Sequence, residues 1–470
     1  MAPDYLLAWL LPLAAGAGAV RLAQGRAPWQ GATSAALGTG WIVGVFVAAT
    51  IAGLTGREAT RDAFPGAWPW LAGIAVVAWA FVAWRARTVP RARGADISAA
   101  ASSSVRIAWW LLLALVMLRF GLLAWEASLR PVFPWDAWSA WAVKPKTWML
   151  LGHAEPFIDF AAWLDGAPGH TTATWNYPEL LAWIEVWFAS AAGGWNEPLV
   201  DLAWCGALAA FALAAYGYWR GSGVRALPAM VLVYALVSLP LLDAHVALAG
   251  YADLWIAVTL GLAALAWSRW LVQREQAQWW LALVLAACLP AIKLEGAVWL
   301  ALFAVVMVLE RIPLRWRLTI VGALAFAFVG GIATGGFSMP VPGLGWVGLA
   351  WGRIAIPGMP PFELRWHAVG EATLASLFAL PNWHLLWYAL PALVLWRRRA
   401  LRDDPAARML GLLVLVQLLV LFVLFFFTMA AAWAQDYTSA NRLVLQIVPC
   451  VFVFAAALLR GAGRQASASR

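Results

Sequence analysis

The residues of this chain that carry chemistry are few, and they gather in a handful of stretches. The densest is Pro134-Trp135-Asp136-Ala137-Trp138-Ser139-Ala140-Trp141-Ala142-Val143-Lys144-Pro145-Lys146. A carboxylate walled by indoles is partly desolvated. Its pKa then moves up toward the range in which a general base works near neutral pH. Lys144 and Lys146 offer cationic donors to a phosphate. A plainer account also exists. Tryptophan is ordinary at a membrane interface, and lysines there snorkel toward lipid headgroups. That account covers the tryptophans and the lysines separately, but not their interleaving with an acid.

Other stretches add to this one. Gly250-Tyr251-Ala252-Asp253-Leu254 opens an apolar run, where Asp253 is either a helix-start acid favoured by the dipole or a second acid facing the same cavity as Asp136. Lys293-Leu294-Glu295-Gly296 lies at the tip of two short apolar runs, at a depth where ionisable groups are costly and mark sites by default. Lys293 and Glu295 either pair with each other or serve such a site. Asp436, Tyr437, Asn441 and Arg442 precede the last apolar run, and Arg442 suits either a lipid headgroup or a substrate phosphate. Arg119, inside a run, has Glu126 as its nearest acid along the chain. His153, Glu155, Asp159, Asp165 and His170 fit no zinc spacing, so the sequence leaves a metal open, with Mg²⁺ or Mn²⁺ the cations to consider.

The elements that must position these groups are membrane helices. The chain has 470 residues, 64% hydrophobic and 12% charged, against about 45–50% and about 25% for a soluble domain. That excludes a water-soluble enzyme. Strands of alternating polarity are missing, which excludes a membrane barrel. The expected fold is all-α and polytopic, with about 13 transmembrane helices near 5–23, 35–54, 68–86, 107–125, 199–219, 227–245, 253–270, 278–292, 297–310, 318–337, 374–396, 409–430 and 443–460. The three cysteines sit in apolar segments and form no redox or disulfide pattern.

The net charge of +9 does not point to nucleic acid, because the arginines fall in short loops between apolar runs. With the first span starting outside, most of the 32 basic residues lie on the cytoplasmic side. The three lysines, Asp136, Asp253 and Arg442 then lie outside. Residues 178–192 are apolar but short and carry Glu179 and Glu185. A crossing there would invert every later loop, so they read as a helix on or dipping into the outer face. Two outer loops are long, 126–198 and 338–373, and long loops are typically functional. Residues 1–90 hold three spans with no role beyond packing or a partner surface. Residues 91–105 are a cytoplasmic linker, 106–460 the main membrane module, and 461–470 a tail.

The order of these stretches resembles the GT-C glycosyltransferases, in particular the bacterial branch related to protein O-mannosyltransferases and lipid A aminoarabinose transferases. The resemblance rests on the Trp-Asp-Ala-Trp-x-x-Trp-x-x-Lys stretch, Tyr177-Pro178 before a short helix, Gly-Tyr-Ala-Asp-Leu, Lys-x-Glu-Gly and Asn441-Arg442-Leu443. It covers roughly Arg106 to Arg460. It implies a long first outer loop with short surface helices, and a sugar donor carried on polyprenyl phosphate in the inner (plasma) membrane of a bacterium. The acceptor is a glycan, lipid or protein. Catalysis by Asp136 is implied, with Asp253 as a second acid and transfer by inversion. Lys144, Lys146, Lys293, Glu295, Arg442, Tyr251, Trp138 and Trp141 are the expected substrate-binding residues. Asp136 stands alone in its motif where many relatives carry paired acids. A transporter or flippase for lipid-linked sugars, or a non-catalytic envelope-assembly subunit, is the alternative, although no internal duplication is visible.

Overall fold

The computed structural model describes residues 3–24, 29–87, 102–341, 345–350, 352–355 and 362–460. Most of the 91–105 linker and the 461–470 tail lie outside the described residues. The chain is mostly helical and membrane-integral. Helices α1 (Pro3–Ala23), α2 (Ala32–Thr55) and α3 (Ala63–Arg87) come first, then α4 (Ser103–Leu129). The first long loop holds α5 (Val143–Leu151), α6 (Phe160–Leu164) and α7 (Leu180–Ala191). There follow α8 (Glu197–Gly221), α9 (Ala226–Val237), α10 (Pro240–Ala247), α11 (Ala252–Gln273), α12 (Gln276–Ala287), α13 (Leu289–Ile292), α14 (Gly296–Arg311) and α15 (Leu314–Ala333). After a small sheet come α16 (Gly370–Leu374), α17 (Leu386–Trp396), α18 (Arg398–Asp403), α19 (Pro405–Phe427), α20 (Ala431–Gln435) and α21 (Ser439–Leu459).

Among the described residues, eight helices are long and apolar enough to cross a membrane: α1, α2, α3 with its leading turn, α4, α8, α11, α19 and α21. Counted as one span, the bent pair α9–α10, with a 59° break, makes a ninth. Pro240 opens the second half of that pair and removes a helix donor at the break. Arg119 supplies the missing polar partners: its guanidinium donates to the Val237 carbonyl (2.8 Å) and the Ser238 carbonyl (3.3 Å) and pairs with Asp243. Glu126, the nearest acid in sequence, pairs instead with Arg130 at 2.7 Å.

Helices α11 and α21 form the centre of the bundle and are almost wholly enclosed by protein. The N-terminal helices belong to the same core. Trp9 stacks on Trp41 at 5.3 Å, and Trp41 on Trp255 of α11 at 6.3 Å. Tyr5 donates to the Leu199 carbonyl at 2.6 Å, and the Trp187 indole to the Ala8 carbonyl at 3.0 Å. Helices α1 and α2 touch through glycine: a Cβ at Gly16 would fall 1.8 Å from the Gly40 carbonyl oxygen. Such small-residue seams drive helix packing where lipid removes the hydrophobic force.

Helix α7, expected on or dipping into the outer face, is enclosed by protein: residues Leu181 to Ala191, Glu185 included, are all buried beneath α1, α2, α3, α5 and α8. A helix apolar on every side needs cover all round, and the N-terminal spans supply it. The second long loop adds strand to the expected all-α fold, as a four-stranded antiparallel meander of β1 (Phe337–Val341), β2 (Gly345–Ala350), β3 (Arg353–Ala355) and β4 (Phe362–Glu363). Its far side is tied to the end of α19, with the Arg365 and His367 amides donating to the Phe427 and Phe426 carbonyls at 2.8 Å each. Of its aromatic residues, Trp351 lies outside the described residues, and Trp346 and Trp366 are exposed.

The bundle has two chemically different ends. At one, Arg85 meets the Leu22 carbonyl (2.7 Å), Gln278 the Ala23 carbonyl (3.0 Å), Arg274 pairs with Glu310 (2.7 Å) and Arg460 with Asp404 (2.7 Å). At the other, Arg57 pairs with Glu179 (2.5 Å), Lys146 with Glu197 (2.7 Å), and Arg442 with Asp136.

Candidate active site

The second of these ends holds a cluster built from four distant parts of the chain. Helix α4 runs out to Leu129, and the chain turns at Pro134 into a single wide turn, Ala137–Trp141, closed by the Ala142 amide on the Ala137 carbonyl at 2.7 Å. The extra residue in this turn lets both Ala137 and Trp141 face inward. Trp135 and Trp138 are left outward, 70% and 46% exposed, edge-on to each other at 4.7 Å. Asp136 is therefore not sealed behind indoles as its flanking tryptophans suggest. Its side chain is 39% exposed and paired with Arg442.

Arg442 sits in the first turn of α21, donates to Ser439 Oγ at 2.7 Å, and lies 4.9 Å above the Tyr251 ring. One turn later, Gln446 donates to Asp253 Oδ1 at 2.5 Å and accepts from the Trp299 indole. Asp253, fully buried in the first turn of α11, makes no capping bond. Its other close partner is Lys293 Nζ, at 3.1 Å. Lys293 also reaches Glu295 at 3.3 Å and lies 6.0 Å over the Trp141 ring. Trp141 in turn stacks flat on Tyr177, 4.9 Å apart and 4° from parallel. Burial and the nearby Glu295 push the Tyr177 phenol above its ordinary pKa.

Gly250 makes this arrangement possible. Its φ of 106° lies in the left-handed region, and a Cβ there would come within 2.5 Å of the Ala137 Cβ. The strand-like entry to α11 and the wide turn after α4 can approach only because that atom is missing.

Asp136, Trp141, Tyr251, Asp253, Lys293, Glu295 and Arg442 thus come together. Lys144 and Lys146 do not join them as free cations. Lys144 is buried and spends two protons on the carbonyls of Trp175 (2.8 Å) and Tyr177 (2.9 Å). Burial lowers its pKa, opposed by Glu179. It fixes the segment that carries Tyr177. Lys146 pairs with Glu197 at the start of α8. Trp138 faces outward. Gln446 and His245 were missed from sequence. His245 is buried 5.2 Å from the Tyr251 ring, its Nδ1 against the Leu241 carbonyl at 2.8 Å and its Nε2 without a partner among the described residues. Gln446 had a signal, as a lone amide one helical turn past Arg442 inside an apolar run.

The loose ends point to a ligand. Asp253 Oδ2 and Glu295 Oε2 are buried without hydrogen-bond partners among the described residues. Such orphans are costly unless something satisfies them. Among the described residues, no group of three or more His, Cys, Asp or Glu side chains is placed to hold a metal; the acids here face Arg442 and Lys293 instead. Beside the cluster lies an apolar cavity of about 190 Å³ between α17, α19 and α21, lined by Ser376, Trp387, Leu421, Phe425 and Val444 among others. Ser376 bonds to Asn441, the residue before Arg442. No protein family, curated protein or solved structure compared with this chain matches it.

Proposed function

We propose that this chain is a GT-C-type membrane glycosyltransferase. It takes a sugar from a polyprenyl-phosphate donor and passes it to an acceptor on the extracytoplasmic face. The observation that carries this reading is the pairing of Arg442 with Asp136, next to Lys293 and Asp253, at the end of the bundle opposite the one that holds Arg85, Arg274 and Arg460. By the bias of arginines toward the cytoplasm, this end faces outside.

The resting ion pair suggests how the site is armed. A donor phosphate offers Arg442 two oxygens in the fork geometry that a guanidinium prefers. As Arg442 turns to the phosphate, the Asp136 carboxylate is released. Asp136 then accepts the proton of the acceptor hydroxyl or amine as that atom attacks the anomeric carbon. The bond from that carbon to the phosphate oxygen breaks on the opposite face, and its electron pair leaves with the polyprenyl phosphate. One displacement inverts the centre. Lys293 and Arg442 stabilise the departing phosphate. Tyr251, with Trp141 and Tyr177, supplies aromatic faces for the sugar, and the buried oxygens of Asp253 and Glu295 accept its hydroxyls. The apolar cavity beside Asn441 suits the first isoprene units of the donor.

The test is consumption of a radiolabelled polyprenyl-phosphate sugar by the purified chain in detergent. Transfer or release of label without sealed compartments supports an enzyme. The transporter reading, which the broken α9–α10 helix favours, predicts no turnover in detergent and movement of label only across sealed vesicles.

A further inference from the structure

A large cavity opens at the other end of the bundle. It measures about 1320 Å³ and lies between the ends of α8, α11 and α21 and the α17–α19 connection. Six arginines line it, Arg225, Arg274, Arg397, Arg398, Arg399 and Arg460, against only Asp403 and Asp404. Part of that charge is already used. Arg274 pairs with Glu310, Arg460 with Asp404, and Arg397 donates to the Leu458 and Arg460 carbonyls at 2.9 and 3.2 Å. Arg225, Arg398 and Arg399 have no ion pair among the described residues, and the buried Arg460 Nε has no acceptor among them. A concave surface with unpaired guanidiniums concentrates anions, and Arg forks match phosphate oxygens.

The rim decides between sources of phosphate. Leu395 and Trp396 close α17 at 70% and 69% exposure and give the cavity an apolar border, with the half-buried Leu459 beside them. A soluble phosphate has no use for that border, whereas the glycerol and acyl chains of a lipid lie against it. Basic pockets between membrane helices on the cytoplasmic side suit anionic headgroups. We infer that this arginine-lined cavity binds the phosphate headgroup of an anionic phospholipid from the cytoplasmic leaflet. It is roomy enough for a headgroup with two phosphates.

The experiment uses the full chain in a neutral detergent, with cardiolipin, phosphatidylcholine and sodium phosphate as separate probes. Binding is read by native mass spectrometry and thermal melting. Cardiolipin is expected to stay bound and raise the melting temperature, and phosphatidylcholine to do neither. The combined Arg225→Gln, Arg398→Gln and Arg399→Gln variant should bind cardiolipin at least tenfold more weakly, with lipid-free melting unchanged. Should that variant fold poorly, Arg225→Gln alone should weaken binding severalfold. Wild-type affinity in the variants, or equal protection by phosphatidylcholine, overturns the inference. Protection by sodium phosphate without protection by cardiolipin overturns the lipid assignment and leaves a soluble phosphate in its place.

Discussion

At the scale of single residues, the site depends on buried charges that need each other. Asp253 is fully buried, and its charge is offset by Lys293 and by the Gln446 amide. Removing one member of such a pair costs roughly 3–5 kcal/mol, because the other is left uncompensated. Lys293→Met is therefore expected to lower the melting temperature sharply in detergent, and a second change, Asp253→Asn, to recover much of the loss. Equal or additive losses in the two variants would show that the groups do not interact. Lys144 makes a different prediction, since its protons tie down Trp175 and Tyr177. Lys144→Met should speed hydrogen exchange across residues 172–178 and lower sugar affinity more than turnover. Had Lys144 held the donor phosphate itself, turnover would fall with the exchange pattern unchanged.

Elements set these residues in register, and the close approach of α11 to the turn after α4 is the critical one. Gly250→Ala adds an atom in a backbone region that L-residues avoid, within 2.5 Å of Ala137. The strain is of order 1–3 kcal/mol. It should separate Asp136 from Tyr251 and reduce transfer at least tenfold, with helical content by circular dichroism unchanged. Full activity would mean the approach is not needed. This is also the scale at which sequence reading reached its limits. That Asp136, Asp253, Lys293 and Arg442 share one end was legible, because scarce charges in an apolar chain can lie only at helix ends or at sites. Their partners were not, since Arg442 and Asp136 are 306 positions apart and nothing local encodes that pairing. The wide turn at Ala137–Trp141 was equally hidden: it changes which tryptophan faces inward without changing the composition. The burial of α7 escaped because its cover comes from α1, α2 and α3, which lie far earlier in the chain. The meander in 337–363 escaped because glycine- and proline-rich sequence reads as loop.

For the whole molecule, the N-terminal helices and the remainder share one core. Trp9, Trp41 and Trp255 form a continuous aromatic stack from α1 through α2 to α11, and α7 is roofed by the first three helices. Deleting residues 3–87 would expose α7 and one side of α8 to lipid, with Glu185 and Asp201 among the uncovered groups. The truncated chain should aggregate or be degraded rather than fold as a separate module, as size-exclusion chromatography in detergent would reveal. A monodisperse truncated chain would show that the three helices are dispensable cover. The central claim concerns the end of the bundle where four distant segments meet. Its most direct test is the rate of sugar transfer from a radiolabelled polyprenyl-phosphate donor by wild type and Asp136→Asn in the same detergent. The account predicts a loss of about 10²–10⁴-fold, the usual contribution of a general base, with donor binding retained because Arg442 is free to hold the phosphate. Transfer by Asp136→Asn at the wild-type rate would contradict it.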